Sequence, residues 1–126
     1  MSARVMVVDD TEHVRRMLVD ILRLHGFDIA GECANGVDAV AEVEALAPDV
    51  VVMDYKMPGM DGVEATRRVR ERIPEQPVIL YSAYIDHELE MAAKDAGVAA
   101  CVRKGAGVEA LAREISALVL DLGHAQ

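Results

Sequence analysis

Short runs of β-branched and aliphatic residues alternate along this chain with longer stretches whose apolar residues recur every three to four positions. That alternation confines it to repeated β-then-α units. The strand-like runs are Arg4–Val8, Phe27–Glu32, Val50–Met53, Val78–Tyr81 and Ala100–Val102. Between them lie five helical stripes. The first is Val14, Met17, Leu18, Ile21 and Leu22, and the second is Val37, Val40, Val43 and Leu46. Val63, Thr66, Val69 and Ile73 make the third, and Leu89, Ala92, Ala93 and Ala96 the fourth. The last is Val108, Leu111, Ile115, Leu118 and Leu122.

Punctuation agrees with this reading. Gly26 and Gly97 stand where left-handed helix stops are expected, and Pro48, Pro74 and Pro77 fall between periodic segments. A run such as Val50-Val51-Val52-Met53 is apolar on both faces, as a central strand covered by helices on two sides must be. Right-handed crossovers then give an α/β fold, a doubly wound five-stranded parallel sheet with five helices, and the flavodoxin-like order 2-1-3-4-5 is one that this allows. The switch point of that order lies between the first and third strands. The 126 residues make one domain, 1–126, with an ordered core over about 4–122.

Composition narrows the partners. Lys and Arg number 13 against 22 Asp and Glu, for a net charge of −9, so the chain lacks the cation excess that a nucleic-acid backbone selects. No apolar run approaches the roughly 20 residues of a membrane span, and no signal-peptide core precedes Asp9 and Asp10. Cys33 and Cys101 stand apart without disulfide or zinc spacing, as free thiols of a reducing compartment do. The expectation is a cytoplasmic protein that binds neither nucleic acid nor membrane. His13, His25, His87 and His124 are scattered and are expected at the surface.

In open parallel sheets, ligands bind beyond the carboxyl ends of the strands at the switch point. There the sequence places Asp9 and Asp10 after the first run, Asp54 after the third, Ser82 after the fourth and Lys104 after the fifth. Taken singly each has a local explanation. Asp9-Asp10-Thr11 can cap a helix, Asp54 can open the turn that contains Pro58 and Gly59, and Lys104 can be a solvated lysine. Converging on one site, they mean more. Three carboxylates that repel one another are usually held together around a cation, and an all-oxygen donor set suits Mg²⁺ rather than zinc or copper. An ammonium and a hydroxyl beside them suit phosphate oxygens. Asp54 is then placed to attack phosphorus, with Asp9 and Asp10 holding the metal, Lys104 offsetting charge and Ser82 engaging the new phosphoryl group.

These residues and their setting resemble the receiver domain of bacterial two-component response regulators, of the single-domain chemotaxis-regulator kind. The likeness runs through Val7-Val8-Asp9-Asp10 and the block from Asp49 to Gly62 around Asp54. It continues through Val78–Ala83 and Asp95-Ala96-Gly97-Val98 to Lys104. It implies that Asp54 accepts a phosphoryl group from a phosphohistidine of a sensor histidine kinase or phosphotransfer protein. It also implies Mg²⁺ held by Asp10 and Asp54 directly, by Asp9 through water and by the backbone carbonyl of Lys56. Ser82 would be the switch hydroxyl and Lys104 the phosphate-pairing lysine. Phosphorylation would shift the face built from the fourth helix, fifth strand and fifth helix, through which the protein would act as a monomer or weak dimer. Its target would be a downstream protein or a separate output domain.

Two departures bear on the switch. The aromatic that often stands three residues before the family's lysine is Cys101 here, and Gly105 follows the lysine where proline is common. Ala83, Tyr84 and Cys101 are therefore the candidate modulating positions, with Tyr81 or Tyr84 available in place of the aromatic. Lys56 and Tyr84, each two residues beyond a site residue, are expected to slow loss of the phosphoryl group. Such a receiver would catalyse only its own phosphorylation and slow dephosphorylation. A phosphatase of the haloacid dehalogenase type would need a second acid where Lys56 stands. A flavodoxin-like cofactor binder would need a Ser/Thr-rich phosphate loop and aromatics, which are 3% of this chain. A receiver fragment of a DNA-binding regulator stays open, since Lys104–Leu111 resembles receivers joined to helix-turn-helix domains.

Overall fold

The computed structural model describes residues 2–124, with side chains through Leu120; the stripe position Leu122, the side chain of His124 and the tail beyond it lie outside that description. Five strands and five helices alternate: β1 Arg4–Val8, α1 Glu12–Leu24, β2 Asp28–Cys33, α2 Gly36–Leu46, β3 Val50–Asp54 and α3 Gly62–Arg72. They continue as β4 Val78–Ser82, α4 His87–Ala96, β5 Ala100–Arg103 and α5 Val108–His124, with a single 3₁₀ turn over Lys104–Ala106. All pairings are parallel, in the order β2-β1-β3-β4-β5 that the sequence allows.

The strict period of two along the strands divides the core. Met6, Val8, Val51, Met53, Val78 and Leu80 face α2, α3 and α4, where Val43, Val69 and Ala93 meet them. Val5, Val7, Val50, Val52, Ile79 and Tyr81 face α1 and α5, against Leu18, Leu22, Leu111 and Ile115. β3 is buried along its whole length, which is why its sequence does not alternate.

Several expectations shift by a residue or two. β2 begins and ends one residue later than expected because it is half-buried and bulges after Val5 of β1, which blurs its signal. β3, β4 and β5 each run one residue further, so Asp54 and Ser82 end strands rather than follow them. Met17 and Val37 carry the stripe pattern but are exposed, while Val19 and Ala39 are fully covered, because the buried face of each helix is offset by a residue. Gly97 is the left-handed C-cap of α4, and Gly26 is left-handed one residue beyond the cap of α1. α2 ends on Ala47, the only non-glycine with positive φ among the described residues and one that no glycine marks in sequence. Arg4 supports that turn by donating to the Ala47 carbonyl at 2.7 Å.

Candidate functional site

The carboxyl ends of β1 and β3 bring Asp9, Asp10 and Asp54 together, with a carboxylate oxygen of each within 4.8 Å of the others. Asp9 and Asp54 are buried and Asp10 is exposed. Asp9 is fixed on every side. Its amide donates to the Cys33 carbonyl at 3.1 Å, its Oδ1 accepts the Thr11 amide at 2.9 Å, and its Oδ2 accepts from Lys104 Nζ at 3.1 Å. Thr11 occupies the N-cap of α1 but its side chain caps nothing, so the capping explanation for this acidic triplet passes to the Asp9 bond with the Thr11 amide. Arg15 adds a tie the sequence does not announce. It donates to the Asp9 carbonyl at 2.8 Å and pairs with Glu32 at 3.2 Å, bracing the acidic loop against β2.

Asp54 is placed by backbone. Gly62 opens α3 directly beneath it, with its amide donating to Tyr55 at 2.8 Å, and a Cβ on Gly62 would collide with the Asp54 carbonyl oxygen. Asp61 holds the same junction by capping α3 through the Glu64 amide at 2.9 Å. The signal was present in the sequence as Asp-Gly ahead of a helical stripe, but its tightness shows only in three dimensions.

Lys104 reaches in from the 3₁₀ turn after β5, 3.1 Å from Asp9 and 3.5 Å from Asp54. One ammonium does not offset three carboxylates. Burial, seconded by the charges of Asp9 and Asp10, pushes the Asp54 carboxyl up to about 6 against the pull of Lys104. Burial works against the charge on Lys104, but Asp54 and Asp9 outweigh it and hold the lysine above its ordinary value. Three clustered carboxylates with an excess of negative charge fit a hard divalent cation.

Ser82 ends β4 and lines the same cavity of about 1230 Å³ as Asp10, Asp54 and Lys104. Its hydroxyl donates to the Tyr84 carbonyl at 3.1 Å. Ala83 and Tyr84 are exposed on that rim, Tyr84 by 72%, and the exposed Lys56 lines the opposite wall. Cys101 is half-buried and packs against the α2, α3 and α4 side of the core, away from this group. Tyr81 is buried on the other side, as strand packing would have it. Arg103, which no sequence pattern marks, donates to the Ile85 carbonyl at 2.8 Å and so ties β5 to the loop that follows Ser82 and carries Tyr84. His13, His25 and His87 are exposed, as expected. Among the described residues no helix is long and apolar enough to cross a membrane.

Comparison with known proteins agrees with this geometry. Residues 5–116 match the response regulator receiver domain family. The chemotaxis protein CheY of Thermotoga maritima is 38% identical over 97 residues, covering 77% of this chain and 81% of its own. A protein-glutamate methylesterase/protein-glutamine glutaminase of Myxococcus xanthus is 39% identical over 84% of this chain, which spans 31% of that relative's length. Among solved structures, the chemotaxis protein CheY4 of Vibrio cholerae superposes with a TM-score of 0.87 at 25% identity, over 94% of this chain and 99% of that one. Strand order, acidic pocket and a match over nearly the whole sequence together make this chain a member of the response regulator receiver domain family, the switch module of two-component signalling.

Proposed function

We propose that Asp54 is the phosphoacceptor of this receiver and that residues 1–126 act as one switch domain, taking a phosphoryl group from a sensor-kinase or phosphotransfer phosphohistidine. The observation that carries this reading is the Asp54 carboxyl itself, buried at the end of the central strand and raised to about 6 beside a lysine at 3.5 Å. Above pH 7 that group is largely a carboxylate, crowded by like charge and free to attack.

In the transfer, an Asp54 oxygen bonds to phosphorus as the phosphorus–nitrogen bond of the donor breaks. The electron pair stays on the imidazole, which leaves as the neutral ring when its other nitrogen carries a proton. Lys104 lies where it can shift from the carboxylates to the transferred oxygens and offset the charge they gather. Asp10 and Asp54, with Asp9 through water and the Lys56 carbonyl, would hold Mg²⁺. Bound there, the ion supplies positive charge that relieves the carboxylate repulsion and neutralises the phosphoryl oxygens. Ser82 would turn to the phosphoryl group and give up the Tyr84 carbonyl. That change reaches the surface formed by α4, β5 and α5 through the loop that Arg103 ties to β5, where Cys101 is too small to act as the swinging aromatic. A kinase, a downstream protein or output domain, and a monomer or weak dimer through that surface complete the proposal. The setting would be the cytoplasm. The esterase activity named for the longer relatives belongs to them.

The test is incubation with acetyl phosphate and Mg²⁺ followed by intact mass. The expected result is one phosphoryl adduct that is absent in Asp54→Asn; an adduct that persists in that variant, or none in the wild type, overturns the assignment.

A further inference from the structure

Lys104 must be held in place by something other than its own loop. Gly105 follows it with open space around the Cβ position, and Gly107, at a φ of 89°, has the same, so neither glycine of the turn beyond the lysine meets a neighbouring atom at its Cβ position. The lysine side chain has four rotatable bonds and loses much freedom when fixed. Its ammonium nevertheless sits over the ring of Tyr81, 5.8 Å from the centroid, while it contacts Asp9 at 3.1 Å and Asp54 at 3.5 Å. The ring is itself buried within the sheet's packing. Tyr81 is 6% exposed, and the sheet registers it against Asp54 on β3 and Val102 on β5, two residues before the lysine.

Resting on the reading of the site given above, we propose that Tyr81 is a positioning residue: its ring face holds the Lys104 ammonium at the carboxylates, taking over the task of a stiff loop, and thereby sets the rate at which the site accepts a phosphoryl group. A cation over an aromatic face gains from the ring quadrupole, and a partly desolvated ammonium gains more than an exposed one. The hydroxyl is not needed for this, which separates the role from hydrogen bonding.

The test uses Tyr81→Phe, which keeps the ring, and Tyr81→Leu, which removes it, in the full chain. Phosphorylation by acetyl phosphate with Mg²⁺, followed by intact mass, should slow about twofold to fivefold in Tyr81→Leu and stay near wild type in Tyr81→Phe. A second readout does not depend on either variant folding. Lys56, Lys94 and Lys104 are the chain's lysines. In ¹³C-lysine-labelled wild type, the ε-methylene resonance of Lys104 should therefore lie upfield of the other two through the ring current. The shift should persist in Tyr81→Phe and vanish in Tyr81→Leu. A Lys104 resonance coincident with Lys56 and Lys94 in the wild type overturns this inference alone, as does a folded Tyr81→Leu protein that phosphorylates at the wild-type rate. A wild type that accepts no phosphoryl group overturns the reading of the site on which the rate claim rests.

Discussion

The end of β3 and the β5–α5 connection place Asp54 and Lys104 in the same pocket, and they do it by opposite means. At the end of β3, Asp54 sits on a backbone junction so close that Gly62 has no room for a methyl group, with Asp61 capping the helix that follows. At the end of β5, Lys104 opens a turn bounded by Gly105 and Gly107 with open space about both, and is steered by side chains of other strands. A nucleophile must keep its position while its partners rearrange, whereas a phosphate-pairing lysine must move from carboxylate to phosphoryl oxygen. With Asp54 as the proposed acceptor and Lys104 as its proposed phosphate-pairing partner, the pocket is closely packed under the first and open around the second.

The largest effect that would break this contrast is at Gly62. Gly62→Ala should cost roughly 3–4 kcal/mol in urea unfolding, since the Asp54 carbonyl and Tyr55 Cα are backbone and cannot step aside cheaply. A loss below 1 kcal/mol in that experiment would mean the junction is softer than its geometry says.

Next comes the charge stored on the closely packed side. Between pH 3.8 and about 6 the folded protein holds a proton on Asp54 that the unfolded chain has released, so this site favours folding more as pH falls through 6. Above that range the ionised carboxylate destabilises the metal-free fold by about 2–3 kcal/mol. Asp54→Asn should therefore raise metal-free stability by that amount at pH 7.5 and by little at pH 4, as read from paired denaturant melts. Equal gains at both pH values would show that the burial of charge is not the cause.

Side chains on the rim sharpen the comparison further. Lys56 belongs to the closely packed connection by backbone but projects into solvent, as Tyr84 does from the loop opposite, and both line the cavity over Asp54. Replacing them together as Lys56→Asn with Tyr84→Glu should speed loss of the phosphoryl group severalfold, measured as decay of the adduct mass. An unchanged decay rate contradicts the shielding role. The smallest effect belongs to the open side, where Gly105→Ala should change stability by no more than about 0.5 kcal/mol, because its added Cβ meets nothing within 4 Å.

The same contrast explains what could be read from sequence. Strand number follows from patterns with short periods, strand order was one of those the crossovers allow, and the gathering of Asp9, Asp10, Asp54, Ser82 and Lys104 in one pocket needed only the rule that ligands bind at strand carboxyl ends. Arg15 and Arg103 escaped because their partners Glu32 and Ile85 lie seventeen and eighteen residues away, and the closeness of Gly62 to the Asp54 carbonyl shows only once the chain has turned back on itself. Ala47 escaped for the reverse reason, since its left-handed turn has no glycine to announce it. Met17 and Val37 were misplaced because a stripe of 3.6-residue period fixes a face only to within a residue, and packing chooses the rest.

The most direct test of a fixed acceptor facing a yielding partner is amide hydrogen exchange with and without acetyl phosphate and Mg²⁺, in wild type and Asp54→Asn. Exchange across residues 54–62 should be the same in both states, while 82–86 and 103–107 change on phosphorylation and only in the wild type. Changes centred on 54–62, or identical changes in Asp54→Asn, would contradict it.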